Sequence, residues 1–394
     1  MKLKSTLVFG ALALASGHAF SATRTFNITG ATAFRAASHN SIISLLGGSG
    51  VTKYAFTGTS GVTGANTAIF EGTMSAFPGD TILVRTSFSG STQGILDVAD
   101  ANSITFLDNS NNRTTSGVNL GQGANPAAVN TTAVPRWSFS DVDKLLSTRP
   151  NASLAGGPVG VVPFVFLAGE GSPAGINNMT DQIHEALWST GSLSASFFTG
   201  SAADAGTIAL ATGRNNGSGT RATILSETQY GAFTSVVQYN ATYQGTRTDA
   251  YPTGKINAIT SFAGGSNDGH SSNSFVREVL TRSSAGMTFN GDPVDGFFVS
   301  YLTISDALLA ESEGARELSY NGVSYSENNV KNGKYTLWGY QQLYLGSSPT
   351  GAETTFDTAF RATIPTHMGT AGIPLTSMNV TRTGGDGGPV FPNN

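Results

Sequence analysis

Three times along this chain an apolar run ends in a turn of small residues and passes straight into a helical pattern. The first instance is "TRTFNITGATAFRAASHNSIISLLGG", residues 23–48. Thr25 to Ile28 have extended character, Thr32 suits a helix N-cap, and apolar Ala36, Ala37, Ile43 and Leu46 recur until Gly47 and Gly48 stop the helix. The second is "DTILVRTSFSGSTQGILDVAD": a strand over Ile82 to Phe88, a turn at Ser89 and Gly90, a cap at Ser91 or Thr92, and a helix carrying Ile95 and Val98. The third joins apolar Ile208 to Ala211 through "TGRNNGSG" to "TRATILSETQYG", which reads as helical until Gly231. Strands that alternate with helices in this way predict an α/β fold. Each helix start also presents unpaired backbone N–H groups and a partial positive charge, which favour anions.

Two continuous apolar runs, Val159 to Gly169 and Val294 to Ile304, predict buried strands that bracket the middle of the chain. "GGSNDGHSSNS" and the Asn-rich stretch around residues 108–130 read as polar loops. A chain of 394 residues is long enough for two domains. The start, "MKLKSTLVFGALALASGHAFSA", has two lysines, a short apolar run and then small residues. It predicts an export signal over residues 1–22, cleaved after Ala19 or Ala22, and hence a periplasmic or secreted protein. With 0 Cys the chain has no lipid-anchored cysteine, no disulfide and no thiolate ligand.

Charge narrows the partners. The chain carries 21 basic and 25 acidic residues, and loss of Lys2 and Lys4 with the leader takes the net charge from −4 to −6. A nucleic-acid or anionic-membrane binder would need a basic surface. Among charged residues amounting to only 12%, two arginines around Ser218-Gly219-Thr220 stand out. The five histidines form neither HExxH nor a close pair, so no metal or other cofactor is expected; they read as surface or satisfied polar residues. GxSxG and SxxK are missing, and no catalytic residue is expected. "GRNNGSGTR" lacks the P-loop lysine, and "DNSNN" places Arg113 where a calcium loop needs glycine. In the third turn, Arg214 can offer bidentate donors to an oxyanion, Ser218 and Thr220 offer hydroxyls, and the amides of Gly219 and Thr220 sit at a helix start. A glycine-rich hairpin followed by a capped surface helix reads the same residues equally well. Arg221 lies past the turn and is expected to be solvated.

Arg-x-x-x-Ser-Gly-Thr leading into a helix resembles the anion-gripping motif of periplasmic phosphate-binding proteins, the substrate receptors of phosphate ABC transporters. "TGATAF" is similar to that family's first phosphate loop, "SGSTQGI" to the second, and "WSFSDVD" to its Ser-Asp after a strand. "VGVVPFVFLAG", "INNMTDQIHEALWSTG" and "FFVSYLTISDAL" then resemble the crossover strand, the helix after it and the returning strand. The likeness spreads over most of the chain and rests on order and spacing. It implies a two-domain type II periplasmic-binding fold hinged on two crossover strands, with residues 23–165 and 306–394 in one domain and 166–305 in the other. It implies a ligand site of Thr32, Ala33, Ser91, Asp141, Arg214, Ser218, Gly219 and Thr220 for phosphate or a similar oxyanion. It further implies a monomer without enzymatic activity that serves an ABC permease. Two features depart from the family. The span between Ser91 and Asp141 is long, which makes Asp108 a rival for the acidic role, and Phe34 stands one place later than the family's aromatic. Asp141 could instead cap "DVDKLLS". A secreted structural or adhesive protein on the same fold, or a phosphatase, are the alternative functions.

Overall fold

A computed structural model describes residues 21–48, 50–58, 61–244 and 254–393. The proposed export signal lies almost entirely outside the described residues. The fold is α/β, as expected, and is built on one mixed sheet of 13 strands among the described residues. Its centre is formed by β1 (Thr23–Gly30), β2 (Thr81–Phe88), β3 (Trp137–Ser140), β4 (Ala155–Ala168), β5 (Ile208–Ala211), β6 (Gly296–Thr303), β7 (Arg316–Tyr320) and β8 (Trp338–Leu345). The path across the sheet runs β5-β6-β4-β8-β3-β1-β2, and β7 pairs with the far end of β4.

The apolar run at 159–169 forms the spine. Residues 155–163 of β4 pair with β8, while Phe164–Ala168 pair with β6 and Phe166–Ala168 with β7. The change of partner falls at Pro163, which has no N–H to give to a ladder. β4 therefore belongs to two halves of one sheet. After β6 the chain stays beside the far end of β4 through β7, and it returns to the first half at Trp338.

Strand direction then fixes where a ligand can sit. β1, β2 and β3 are mutually parallel, and β8 is antiparallel to both β3 and β4, so β4 runs parallel to the first three. β5 and β6 are parallel to each other and antiparallel to β4, with Thr303 at the end of β6 opposite Phe164. The carboxyl ends of the two halves thus face each other across the middle of β4. Open α/β sheets bind ligands outside the carboxyl ends of their strands.

The three strand–turn–helix patterns supply the edges of this meeting place. β1 leads through a 3₁₀ turn, Thr32–Phe34, into α1 (Arg35–Gly47); β2 leads into α2 (Ser91–Ala99); β5 leads into α3 (Gly219–Glu227). On the second half α4 (Asn273–Leu280) and α5 (Ile304–Ser312) also begin here. Gly30 closes β1 at φ +115°, and a Cβ there would stand 2.0 Å from the Phe139 carbonyl of β3. Only glycine admits this approach.

Several local expectations are corrected. α3 ends at Glu227, short of Gly231, because the Thr228 hydroxyl takes the Ile224 carbonyl and Gly231 N takes that of Leu225. The Asn-rich stretch is not a plain loop: Val118–Leu120 pairs with Lys53–Thr57, and Val118 and Leu120 pack on Ala55, Ile69 and Leu107 as a small second core. Asn130–Ala133 pairs with Ile104–Leu107.

Candidate functional site

The residues singled out from the sequence fall into a closed cluster and an open wall beside it. In the cluster, the Asp141 carboxylate follows β3 directly. It accepts the Ser91 hydroxyl and, at 3.1 Å, the Thr220 hydroxyl, while Asp141 N lies 3.4 Å from Ser91 Oγ. Ser91, Asp141, Ser218 and Thr220 are all buried. Gly219 lies against them so closely that a Cβ would stand 1.9 Å from Asp141 Oδ1 and 2.4 Å from Ser91 Oγ. Ser218 is the N-cap of α3, its hydroxyl accepting from Arg221 N at 3.4 Å. A carboxylate of the first half therefore lies at the start of a helix from the second, where anions are favoured.

Neighbouring contacts hold the halves together. Thr92 Oγ1 donates to the Gly217 carbonyl at 2.9 Å, and Thr223 Oγ1 to the Asp141 carbonyl at 2.9 Å. The hydroxyls read as caps thus serve elsewhere: Gly90 is the N-cap of α2 without a side-chain bond, and Ser91 and Thr92 reach across to partners. Thr32 is likewise no cap, because the chain turns into a 3₁₀ helix at that residue and α1 begins three residues later.

Electrostatics couple Asp141 to Arg214. Burial pushes the Asp141 carboxyl up, opposed first by the Arg214 charge. Burial also lowers Arg214, opposed first by Asp141. The Arg214 guanidinium is held by His270 O at 3.1 Å, Ser271 O at 3.0 Å and Asn273 Oδ1 at 2.7 Å. It is locked in the second half at the start of α4.

Arg221 is corrected. It is buried, and its guanidinium reaches Asn267 O at 2.7 Å, Asn267 Oδ1 at 2.6 Å and the Arg214 carbonyl at 3.3 Å. α3 is covered on nearly every side, so its polar residues turn inward to loop carbonyls. The capping role considered for Asp141 belongs to Asp143, which accepts from Leu145 N at 2.9 Å. Asp108 accepts from Ser110 N in its own turn.

Of the histidines, His39 and His270 are buried and bonded, to Val62 O and Thr86 Oγ1 and to Thr212 Oγ1 respectively. His184 departs from expectation: buried and stacked on Trp188 at 4.6 Å, it has no hydrogen-bond partner on either ring nitrogen among the described residues. No group of acidic and histidine residues suited to a metal occurs among the described residues. No helix among them is long and apolar enough to cross a membrane.

Thr32 and Ala33 stand apart from the cluster. They line a cleft of about 780 Å³ between the halves. Arg35 and Asn66 share their wall; Asn273, Phe275 and Arg277 of α4 and Asp306 of α5 face them. Arg35 donates to Asn66 Oδ1, and burial lowers its pKa against the opposing charge of Asp306. The sequence reading missed this set, although the Arg35 and Asp306 positions just past strand ends were a usable signal.

No protein-family description and no curated protein matches the chain. Among solved structures it is similar to an ABC-type phosphate transport receptor from Vibrio cholerae, at 11% identity and TM-score 0.44, over 86% of this chain and 93% of that one. It is similar to PstS from Borrelia burgdorferi, at 12% identity and TM-score 0.42, over 89% and 98%. It is also similar to OxyR from Corynebacterium glutamicum, at 10% identity and TM-score 0.41, over 91% and 70%.

Proposed function

We propose that this chain is an exported solute-binding protein that grips phosphate or a similar tetrahedral oxyanion between its two halves. The observation that carries the reading is the Asp141 carboxylate of one half bonded to Thr220 at the helix start of the other, with the Arg214 charge opposing the effect of its burial. Hydroxyls and a helix start that satisfy a carboxylate satisfy a phosphoryl oxygen equally well. In this reading the oxyanion enters from the cleft over Thr32 and Ala33. It takes the donors of Ser91, Ser218, Gly219 and Thr220, with Arg214 as the fixed cation. Asp141 then becomes the acceptor for the oxyanion's own O–H. β4 and the returning segment between β7 and β8 form the hinge, and the contacts of Thr92 and Thr223 form the closed face.

The roles that follow are a periplasmic monomer, freed from its leader near Ala19 or Ala22, that delivers the ligand to an ABC permease and makes or breaks no bond in it. Isothermal titration of the purified mature chain with inorganic phosphate tests the proposal. Saturable one-to-one binding is expected, and it should disappear in Asp141→Ala and Arg214→Ala proteins that remain folded. Absence of heat, and of any rise in melting temperature at millimolar phosphate, would sink it.

A further inference from the structure

A hairpin of β9 (Val380–Arg382) and β10 (Val390–Pro392) lies against both halves of the sheet. Its turn carries Asp386, whose buried carboxylate accepts Asp143 N at 2.6 Å and Tyr340 N at 3.3 Å. Asp143 follows shortly after Asp141, and Tyr340 belongs to β8, so both amides come from the first half. The backbone of the same turn faces the second half. The Asp386 carbonyl accepts the Ser226 hydroxyl at 2.8 Å, and Gly387 N donates to Glu227 Oε1 at 2.9 Å. Ser226 and Glu227 end α3, the helix that Gly219 and Thr220 begin. Gly387 permits this approach: it sits at φ +78°, and a Cβ there would stand 2.5 Å from the Ser226 carbonyl oxygen. Arg382 fixes the base of the hairpin. Its guanidinium pairs with Glu227, donates to Thr336 O at 2.8 Å between β7 and β8, and lies 4.3 Å from the centre of the Trp338 ring.

One turn thus grips the segment that carries Asp141 and the helix that carries Thr220. We propose that Asp386 is a positioning residue: through its turn it latches the two halves and sets how closely Asp141 meets Thr220. The two amides anchor the turn to the first half, and only an anchored turn can hold α3 through Ser226 and Glu227. α3 is a short hydrogen-bonded helix, so a shift at its carboxyl end is carried to Thr220 at its start. The effect on the ligand rests on the oxyanion reading, whereas the effect on the halves does not.

The chain has 0 Cys, so nitroxide labels can be placed at Leu145→Cys and Phe233→Cys without competition. Both positions are exposed, by 55% and 72%, and Phe233 lines one groove between the halves with Leu146. In the mature labelled chain, Asp386→Ala should lengthen the distance between the labels and leave the circular dichroism spectrum unchanged. It should also weaken inorganic phosphate binding at least tenfold by isothermal titration. Asp386→Asn, which keeps one acceptor oxygen for the amides, should restore most of the wild-type distance. A lower melting temperature at the wild-type distance would make the hairpin a mere brace and overturn the inference, as would a longer distance at unchanged phosphate affinity. If Asp386→Ala does not fold, Ser226→Ala decides, since it cuts only one bond to α3: a longer distance supports the latch, and the wild-type distance overturns it. If phosphate fails to bind the wild type, the oxyanion reading falls and the label distances alone decide the latch.

Discussion

The Asp141 carboxylate accepts the Thr220 hydroxyl at 3.1 Å, and the two residues come from opposite halves of the sheet. One follows β3, the other opens α3. Because Gly219 packs against both Asp141 and Ser91, this contact is also a close approach of the two backbones. Gly219→Ala would place a methyl group 2.6 Å from Ser91 Cβ, where no rotamer change relieves it. The substitution should prop the halves apart, weaken phosphate binding by at least tenfold and leave the circular dichroism spectrum unchanged. Small-angle scattering of the variant should show a larger radius of gyration. Unaltered affinity would mean that the halves need not meet at Gly219.

Arg214 and Arg221 separate ligand binding from structure. Both are buried, but Arg214 is coupled to Asp141 while Arg221 ties α3 to Asn267. Arg214→Ala should weaken phosphate binding by about 2–5 kcal/mol, as truncated buried charge pairs do. Arg221→Ala takes the side-chain donor from the Asn267 carbonyl, while Asn267 Oδ1 keeps the Val236 N–H, and should cost about 1–3 kcal/mol of folding stability. Urea unfolding and titration on the same two proteins check both outcomes. If Arg221→Ala were as stable as the wild type, its contacts would be incidental.

How much of this was legible follows from which residues act locally. The strand ends and the three small-residue turns are short-range features, and they predict the α/β class and the loops that meet. The Ser218 cap is local in the same way, since its hydroxyl serves an amide three residues on. The burial of Arg221, the Ser91 bond to Asp141 and the cross-half bond of Thr92 depend on contacts more than 40 residues distant, which no local pattern encodes. The strands inside the Asn-rich stretch were hidden for a related reason. Val118 and Leu120 are two apolar residues in a polar run, and only pairing with Lys53–Thr57 makes them a strand.

Buried titratable groups give a pH profile with two limbs. Burial pushes His39 and His270 down to about 4 and His184 to about 3, so each is neutral in the fold at pH values where the unfolded chain takes a proton. Their stabilisation is complete above the unfolded value, about 6.5, and is lost as pH falls toward 4. Burial pushes Glu227 up to about 8 and Asp386 up to about 7, each opposed by Arg382. The folded protein holds these protons longer than the unfolded chain, so stability falls as pH rises from the ordinary carboxylate range through about 8. Above pH 6.5 only the second limb remains. Urea midpoints should therefore drop between pH 6.5 and 8.5, and Glu227→Gln should flatten that drop. A rising or level profile in the wild type would refute the assignment.

The choice between oxyanions is the sharpest test of Asp141. Near neutral pH much of the phosphate still carries a proton, and sulfate carries none. A buried carboxylate can accept a hydrogen bond from the first and meets only lone pairs and like charge from the second. The penalty is a buried mismatch, so discrimination can be large; a preference for phosphate over sulfate of about a hundredfold or more is expected. Asp141 is suited to this part because burial, with no ion pair to it among the described residues, leaves its charge only partly compensated, by the Ser91 and Thr220 hydroxyls and by the Arg214 charge. Asp141→Asn keeps the size, supplies an N–H toward sulfate and removes the like charge. It should narrow the preference to within about tenfold, mainly by strengthening sulfate binding. Parallel titrations with the two anions on wild type and variant decide the matter. If Asp141→Asn lowers the melting temperature and changes neither affinity, Asp141 only staples the halves together. The acid that selects the ligand would then have to be sought along the cleft, at Asp306.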